Sequence, residues 1–169
     1  MLESKSCCLW FLSLIAYAHF EAVQGQTVVA GTSFVPACDL GQLNQAYVAE
    51  LNKQRKQENP KASVVRVDKE LLRGAVSFNA EMEQQARLFH DISHTHVEMV
   101  GQSAELDNYR AAPQKLAAYI YRCFAQSRSG HCEAQSDPAL FFVAISCSRH
   151  YFVVRLERME ATDAAMPRR

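Results

Sequence analysis

"ALFFVAISCSRHYFVVRLE", residues 139–157, decides the class of fold. Its first part, up to Cys147, is an unbroken apolar run of the kind that forms a strand buried on both faces. Its second part alternates: Phe152, Val154 and Leu156 fall on one side, Tyr151, Val153 and Arg155 on the other. That is the two-residue period of a strand. Ser148 and Arg149 stand between the two runs, so the stretch reads as an antiparallel pair joined by a short turn.

Upstream of this pair the period changes to that of helices. Asp39 is placed to cap a first helix, along which Leu40, Leu43, Tyr47 and Leu51 recur at helical spacing, with Glu50 and Lys53 on the wet face. It should stop before Pro60, because a residue preceding proline is pushed out of the α region. "ASVVRV", residues 62–67, is a short β-branched run and a candidate strand. Residues 68–92 read as one or two helices. Asp68 caps "KELLRGAV", in which Gly74 is a weak spot. Asn79 caps "AEMEQQARLFHDI", with Met82, Ala86 and Phe89 facing inward. Glu81 and Glu83 in its first turn, and Arg87 and His90 near its end, suit the helix dipole. Pro113 opens a third helix, with Leu116, Ile120, Cys123 and Ser127 on one face and Tyr119 and Phe124 beside it. Helices first and a strand pair last give an α+β domain, with helices packed on a small antiparallel sheet.

The chain ends read differently. Lys5 is the only basic residue before "CCLWFLSLIAYAHF", an apolar run from Cys7 to Phe20. A membrane span needs about 20 apolar residues, so this run is too short. Val23 and Gly25 are small enough for the −3 and −1 cleavage positions, so residues 1–25 are read as a signal peptide cut before Gln26, the alternative being an uncleaved anchor. A flexible segment, 26–37, then leads into a domain over 38–157, and 158–169 is a loose tail with little apolar content to bury. The expected location is extracellular. Acidic and basic side chains balance at 18 each, for a net charge of zero. No basic stripe is present, which argues against nucleic acid as a partner. No second apolar stretch reaches spanning length.

Cysteine use agrees with export. Cys7 and Cys8 leave with the signal, while Cys38, Cys123, Cys132 and Cys147 remain. An even set in an oxidising compartment can pair fully, and the mature chain has no close C-x2-C pair of the kind a zinc site uses.

"HDISHTHVEMVGQ", residues 90–102, holds three of the chain's six histidines. His90 and His94 would share a helix face, and His94 and His96 a strand face. These geometries exclude each other, so at most two of the three could bind one ion in regular structure. A third ligand would come from a distant residue such as His131 or His150. The competing reading is a set of surface histidines at a helix C-terminus and in the loop beyond it. Glu98, Glu105 and Glu133 could form acid/base pairs with nearby histidines or belong to a solvated face. No G-x-S-x-G elbow and no glycine-rich phosphate loop occurs.

Several stretches together resemble one family. "LNKQRKQ" (51–57) is similar to the His/Asn-x-x-Arg element of the first helix of the CAP superfamily, which groups cysteine-rich secretory, antigen 5 and pathogenesis-related 1 proteins. "FNAEMEQQARLF" (78–89) resembles that family's second helix. His96, four residues and then Gly101-Gln102 resemble its His-gap-Gly-Glu-Asn element. "SGHCEAQ" (129–135) is similar to its Gly-His-Tyr/Phe-Thr-Gln signature, and "FFVAISC" (141–147) to its strand ending in cysteine. The likeness covers roughly residues 38–157, and its variant nearest in organisation is the CAP-like surface antigens of coccidian parasites.

The resemblance implies a CAP-like α-β-α sandwich with a cleft of two His and two Glu, sometimes holding a divalent metal. Here the position of the first Glu is Gln102, which cannot ionise, and His131 is followed by Cys132 rather than an aromatic residue. The cleft is therefore expected to consist of His96, Gln102 and His131, with His96 and His131 able at most to hold a divalent metal weakly. No catalytic residue and no resident cofactor are expected. The function implied is a non-catalytic binding or surface-antigen role toward a host or cell-surface protein, or toward a small apolar ligand such as a sterol or fatty acid. The alternative is a metal-dependent hydrolase using His96 and His131.

Four cysteines allow three pairings. The order of elements favours Cys123 with Cys132, closing "FAQSRSGH", and Cys38 with Cys147, tying the first helix to the strand pair. By chain entropy the short loop contributes about 3 kcal/mol or less and the long one nearer 5. Peptide mapping of exported, unreduced protein should recover these two linked pairs. A Cys38 peptide joined to Cys123 or Cys132 refutes the assignment.

Overall fold

The structure is a computed structural model that describes residues 35–158. The expected signal peptide, most of the flexible segment and nearly all of the tail lie outside these residues. Helix α1 spans Leu40–Glu58. Asp39 caps it by accepting the Gln42 N–H at 2.9 Å, and Asn59 ends it in extended conformation ahead of Pro60. Leu43, Tyr47 and Leu51 are buried along its inner face.

Helix α2, Lys69–Gln85, follows a two-residue strand β1, Arg66–Val67. Asp68 caps it, accepting from the N–H groups of Glu70 and Leu71. Contrary to the sequence reading, no second helix starts at Asn79. The helix runs through Gly74 and Asn79 and closes at Ala86, in left-handed conformation at φ 47°. Asn79 is instead fully buried, and its amide donates to the carbonyls of Ser146 and Tyr151. Residues 87–96 form a loop leading into strand β2, Val97–Gln102.

A 3-10 turn, Leu106–Tyr109, precedes α3, Pro113–Ala125, in which Leu116, Ile120 and Phe124 are buried. A short helix α4, His131–Ser136, comes next and has no counterpart in the sequence reading. Strands β3, Leu140–Cys147, and β4, Tyr151–Arg158, then form the expected pair. Arg158, assigned to the tail from sequence, is the last residue of β4.

The sheet has the order β1-β3-β4-β2. The expectation of a purely antiparallel sheet is corrected at one edge: β1 runs parallel to β3, because the chain crosses through α2, β2, α3 and α4 before returning beside it. One face carries Met99, Val143, Ile145, Phe152, Val154 and Leu156 against α1 and α3. The other carries Val100, Tyr151 and Val153 against Ala75, Phe78 and Met82 of α2. The result is a helix–sheet–helix sandwich.

The outer edge of β3 is closed by three different devices. β1 pairs with Phe142 and Val143, and Asp68 continues the ladder by donating to the Val143 carbonyl at 3.2 Å. Asn44 of α1 then takes Ile145 at both groups: its Oδ1 accepts the N–H at 2.9 Å and its Nδ2 donates to the carbonyl at 2.8 Å. Ala37 donates to the Cys147 carbonyl at 2.8 Å. Ala37, read from sequence as part of the flexible lead-in, is buried by this contact.

Cys38, Cys123, Cys132 and Cys147 are free thiols in this structure, so the expected bridges are not present. The Ala37–Cys147 bond does bring Cys38 to the end of β3, and Cys38 is a neighbour whose charge, after burial, pushes the Cys147 thiol up. Cys123 sits in α3 and Cys132 in α4.

The Asn44 contact generates a stability prediction. Asn44→Leu fits an apolar helix face but leaves the Ile145 N–H and carbonyl buried without partners. At about 1–3 kcal/mol for each unsatisfied buried group, urea denaturation should show a loss of roughly 3 kcal/mol. A loss below about 1 kcal/mol would mean that Asn44 does not close the edge.

Candidate functional site

The densest set of ionisable side chains stands where the loop after α2 enters β2. Asp91 shapes the loop by accepting the N–H and the hydroxyl of Ser93 at its Oδ1, an Asx turn. Its own N–H donates to Glu98 Oε1 at 2.9 Å. Glu98 lies on the α2-facing side of β2, and the register sets it directly opposite Arg155 of β4.

Arg155 holds both carboxylates. Its Nη2 donates to Asp91 Oδ2 at 2.6 Å, and its Nε and Nη2 each lie 3.2 Å from Glu98 Oε2. His94 reaches the same two oxygens through Nε2, at 3.1 Å from Glu98 Oε2 and 3.6 Å from Asp91 Oδ2. The Glu98 and Arg155 side chains are 4% and 7% exposed, so these are charges paired away from solvent. Burial raises the Asp91 pKa, but hydrogen bonds from Ser93 and Arg155 and the nearby charge of His94 outweigh it, and the net direction is down.

Helix α2 forms the floor. The Phe78 ring lies under the guanidinium, with Cζ at 5.6 Å from its centroid. One turn earlier is Gly74, where an added Cβ would collide with Arg155 Nη1. The weak spot noticed in the helix sequence is therefore the space that a buried arginine occupies.

The sequence-selected residues are distributed as follows. The His96 ring lies tilted beside that of His94, ring centroids 5.3 Å apart, and so adjoins this cluster. Gln102 is exposed at the other end of the six-residue β2. At roughly 3.3 Å per residue, that puts it about 20 Å from His96. His131 opens α4 and packs edge-on against Phe124 at 5.1 Å, on the α3 side of the sheet, with Nδ1 buried and without a hydrogen bond among the described residues. Burial, and then the charge of His90, lower its pKa. The histidine whose charge bears on His131 is thus His90, which also lies 3.5 Å from Glu98 Oε1. His150 binds Glu83 at the β3–β4 turn, Nδ1 to Oε2 at 3.0 Å.

Asp91 and Arg155 were not singled out as site residues from sequence. Arg155 follows Glu98 by 57 positions, so only the β2–β4 register could pair them. Chemically, Asp91, His94 and Glu98 each offer one ligand atom, and these lie within 4.8 Å of one another, close enough to share an ion. The same two carboxylates already hold a guanidinium.

No family model matches the chain, and no curated protein matches it. Among solved structures it is similar to an extracellular protein containing an SCP domain from Bacillus anthracis, with a TM-score of 0.51 and 12% identity. The likeness covers 70% of this chain but 41% of that protein. At this identity it shows the fold alone: the chain has a CAP-like, SCP-type fold.

A test follows from Gly74. Gly→Ala within a helix ordinarily stabilises by about 1 kcal/mol. Here Gly74→Ala should lower the melting temperature, because Arg155 is pinned by two carboxylates and cannot move aside. A raised melting temperature would show that Arg155 is free to yield.

Proposed function

We propose that this chain is a non-catalytic, extracellular binding module of CAP-like fold that engages a protein on a cell surface. The observation that carries the reading is the Arg155 guanidinium, 2.6 Å from Asp91 Oδ2 and 3.2 Å from Glu98 Oε2. A hydrolytic site needs a carboxylate free to take a proton or to hold a metal-bound water. Both carboxylates of this cluster are engaged by a buried cation. A divalent metal would have to expel that cation, and separating a buried pair costs roughly 3–5 kcal/mol. No tight metal site and no resident cofactor are therefore proposed, and His96 and His131 stand at most as weak metal ligands.

Contact with a partner is assigned to the loop that the cluster braces. Ile92 is 96% exposed and Leu88 42%, beside Arg87 and His90. An apolar tip with basic neighbours fits a protein pocket rimmed by acidic groups, and this favours a protein over a sterol or fatty acid. An extracellular location is supported by the signal-like N-terminus and by the extracellular protein of the same fold. The pairings Cys38–Cys147 and Cys123–Cys132 belong to this reading, as bridges formed on oxidation during export.

Two measurements test the proposal. Ile92→Asp should abolish binding of the labelled full chain to cells while leaving its melting temperature unchanged; unchanged binding counts against this surface. Zinc titration should give a Kd no tighter than micromolar, about −8 kcal/mol. A stoichiometric nanomolar site lost on His94→Ala or His96→Ala, together with chelator-sensitive hydrolysis, would replace this reading with the metal-dependent hydrolase.

A further inference from the structure

A second buried arginine lies on the opposite side of the sheet and is held quite differently. Arg55, in the last turn of α1, is 3% exposed. Its Nη1 donates to the carbonyls of Gln135, at 3.1 Å, and Asp137, at 2.5 Å. These carbonyls are at the C-terminal end of α4, where a cation suits both the free carbonyls and the helix dipole. That contact uses one nitrogen. Nε and Nη2 are buried and make no hydrogen bond among the described residues. Together they form the side edge of the guanidinium, the two-pronged donor that takes an anion.

Gln135 adds a further donor at the same α1–α4 contact. It is 1% exposed, and its Oε1 accepts from the Tyr47 hydroxyl at 2.8 Å. That bond leaves Nε2 buried and without a partner among the described residues. The contact therefore presents three unpaired donors and a full positive charge. The carboxylates of Asp137 and Glu58 act on Arg55 only through space, opposing the lowering that burial causes. Asp137 Oδ2 is bonded to Arg158 and its Oδ1 to the Ala139 N–H.

We propose that Arg55 and Gln135 form an internal site for a small inorganic monoanion, of which chloride is the probe. The donor inventory distinguishes this from ordered water. Water brings two O–H donors of its own and needs acceptors for them. The buried groups without partners at this contact are all donors, and the Gln135 side-chain oxygen already serves Tyr47. An acceptor-only anion satisfies the donors and neutralises the guanidinium, for which the alternative is a buried unpaired charge. The site is structural: it joins the end of α1 to the end of α4.

The experiment is thermal melting of the full mature chain in sodium chloride and in sodium isethionate at matched ionic strength. The melting temperature should rise with the logarithm of chloride concentration and stay flat in isethionate, as linkage to a folded-state ligand requires. Gln135→Leu, which keeps Arg55, should reduce the chloride slope by at least half, and Arg55→Met should abolish it if that variant folds. Crystals soaked in bromide should show an anomalous peak within hydrogen-bonding distance of Arg55 Nε and Nη2. Equal responses of the wild-type chain to the two salts, or an ordered water with no bromide peak, would overturn the proposal.

Discussion

The double hydrogen bond between the Asn44 amide and the backbone of Ile145 sets the geometry on which the sandwich is built. In an antiparallel pair, alternate residues turn their N–H and carbonyl toward the neighbouring strand and the others turn them away. Along β3 the even positions serve β4, so 143, 145 and 147 face the open side. β1 is too short to cover them. Val143 is met by the chain at Asp68, Cys147 by Ala37 and Ile145 by Asn44, so the middle position depends on one side chain of α1. A strand buried on both faces cannot turn to water for its missing partners. The position of α1 over the sheet is therefore fixed by an amide as well as by the packing of Leu43, Tyr47 and Leu51.

The other helix layer uses the same chemistry at the far end of β3. Asn79 donates to the carbonyls of Ser146 and Tyr151, and Glu83, one turn later, accepts the His150 N–H at 2.8 Å. The two residues clamp the β3–β4 turn onto α2. This explains why the helix reading of 68–92 divided where the helix does not. Asparagine favours helix caps when its side chain bonds to its own backbone, and from sequence that was the natural role for Asn79. In the folded chain its amide bonds across to the sheet, so the helix continues through it and ends later, at Ala86.

Much of the framework was legible because it follows from local rules. Asp39 and Asp68 cap, Pro60 stops α1, Pro113 opens α3, and the periodicities of 139–157 give β3, β4 and their turn. What stayed hidden depends on partners far along the chain. "VEMVGQ" did not read as a strand because Glu98 is a charge on a face that is otherwise buried, and it is tolerated there only beside Arg155. The histidine cluster drew attention to His90, His94 and His96 as ligands. The group that binds their carboxylate partners is Arg155, which the alternation placed only on the Tyr151 and Val153 side of the strand. His96 and Gln102 were set in one cleft by family likeness, but the strand between them is extended and separates them. Short elements such as α4 carry too little periodicity to be found.

The two interior arginines then divide the molecule by charge. Arg155 meets two carboxylates, which His94 also reaches, and the face of Phe78, with a glycine leaving room for it, so its cluster is close to self-sufficient. Arg55 meets only carbonyls, at one nitrogen, and its Nε and Nη2 have no hydrogen-bond partner among the described residues. Burial costs both side chains the same hydration, and the compensation differs. Where carboxylates surround the cation, they are already engaged by a charge that the chain itself supplies. Where two guanidinium nitrogens lack an acceptor, an anion supplies what the described residues do not. On the α2 side of the sheet the chain thus supplies both signs of charge from its own residues. On the α1 side the carboxylates of Asp137 and Glu58 act on the buried guanidinium only through space, and there the proposed anion has a stabilising role.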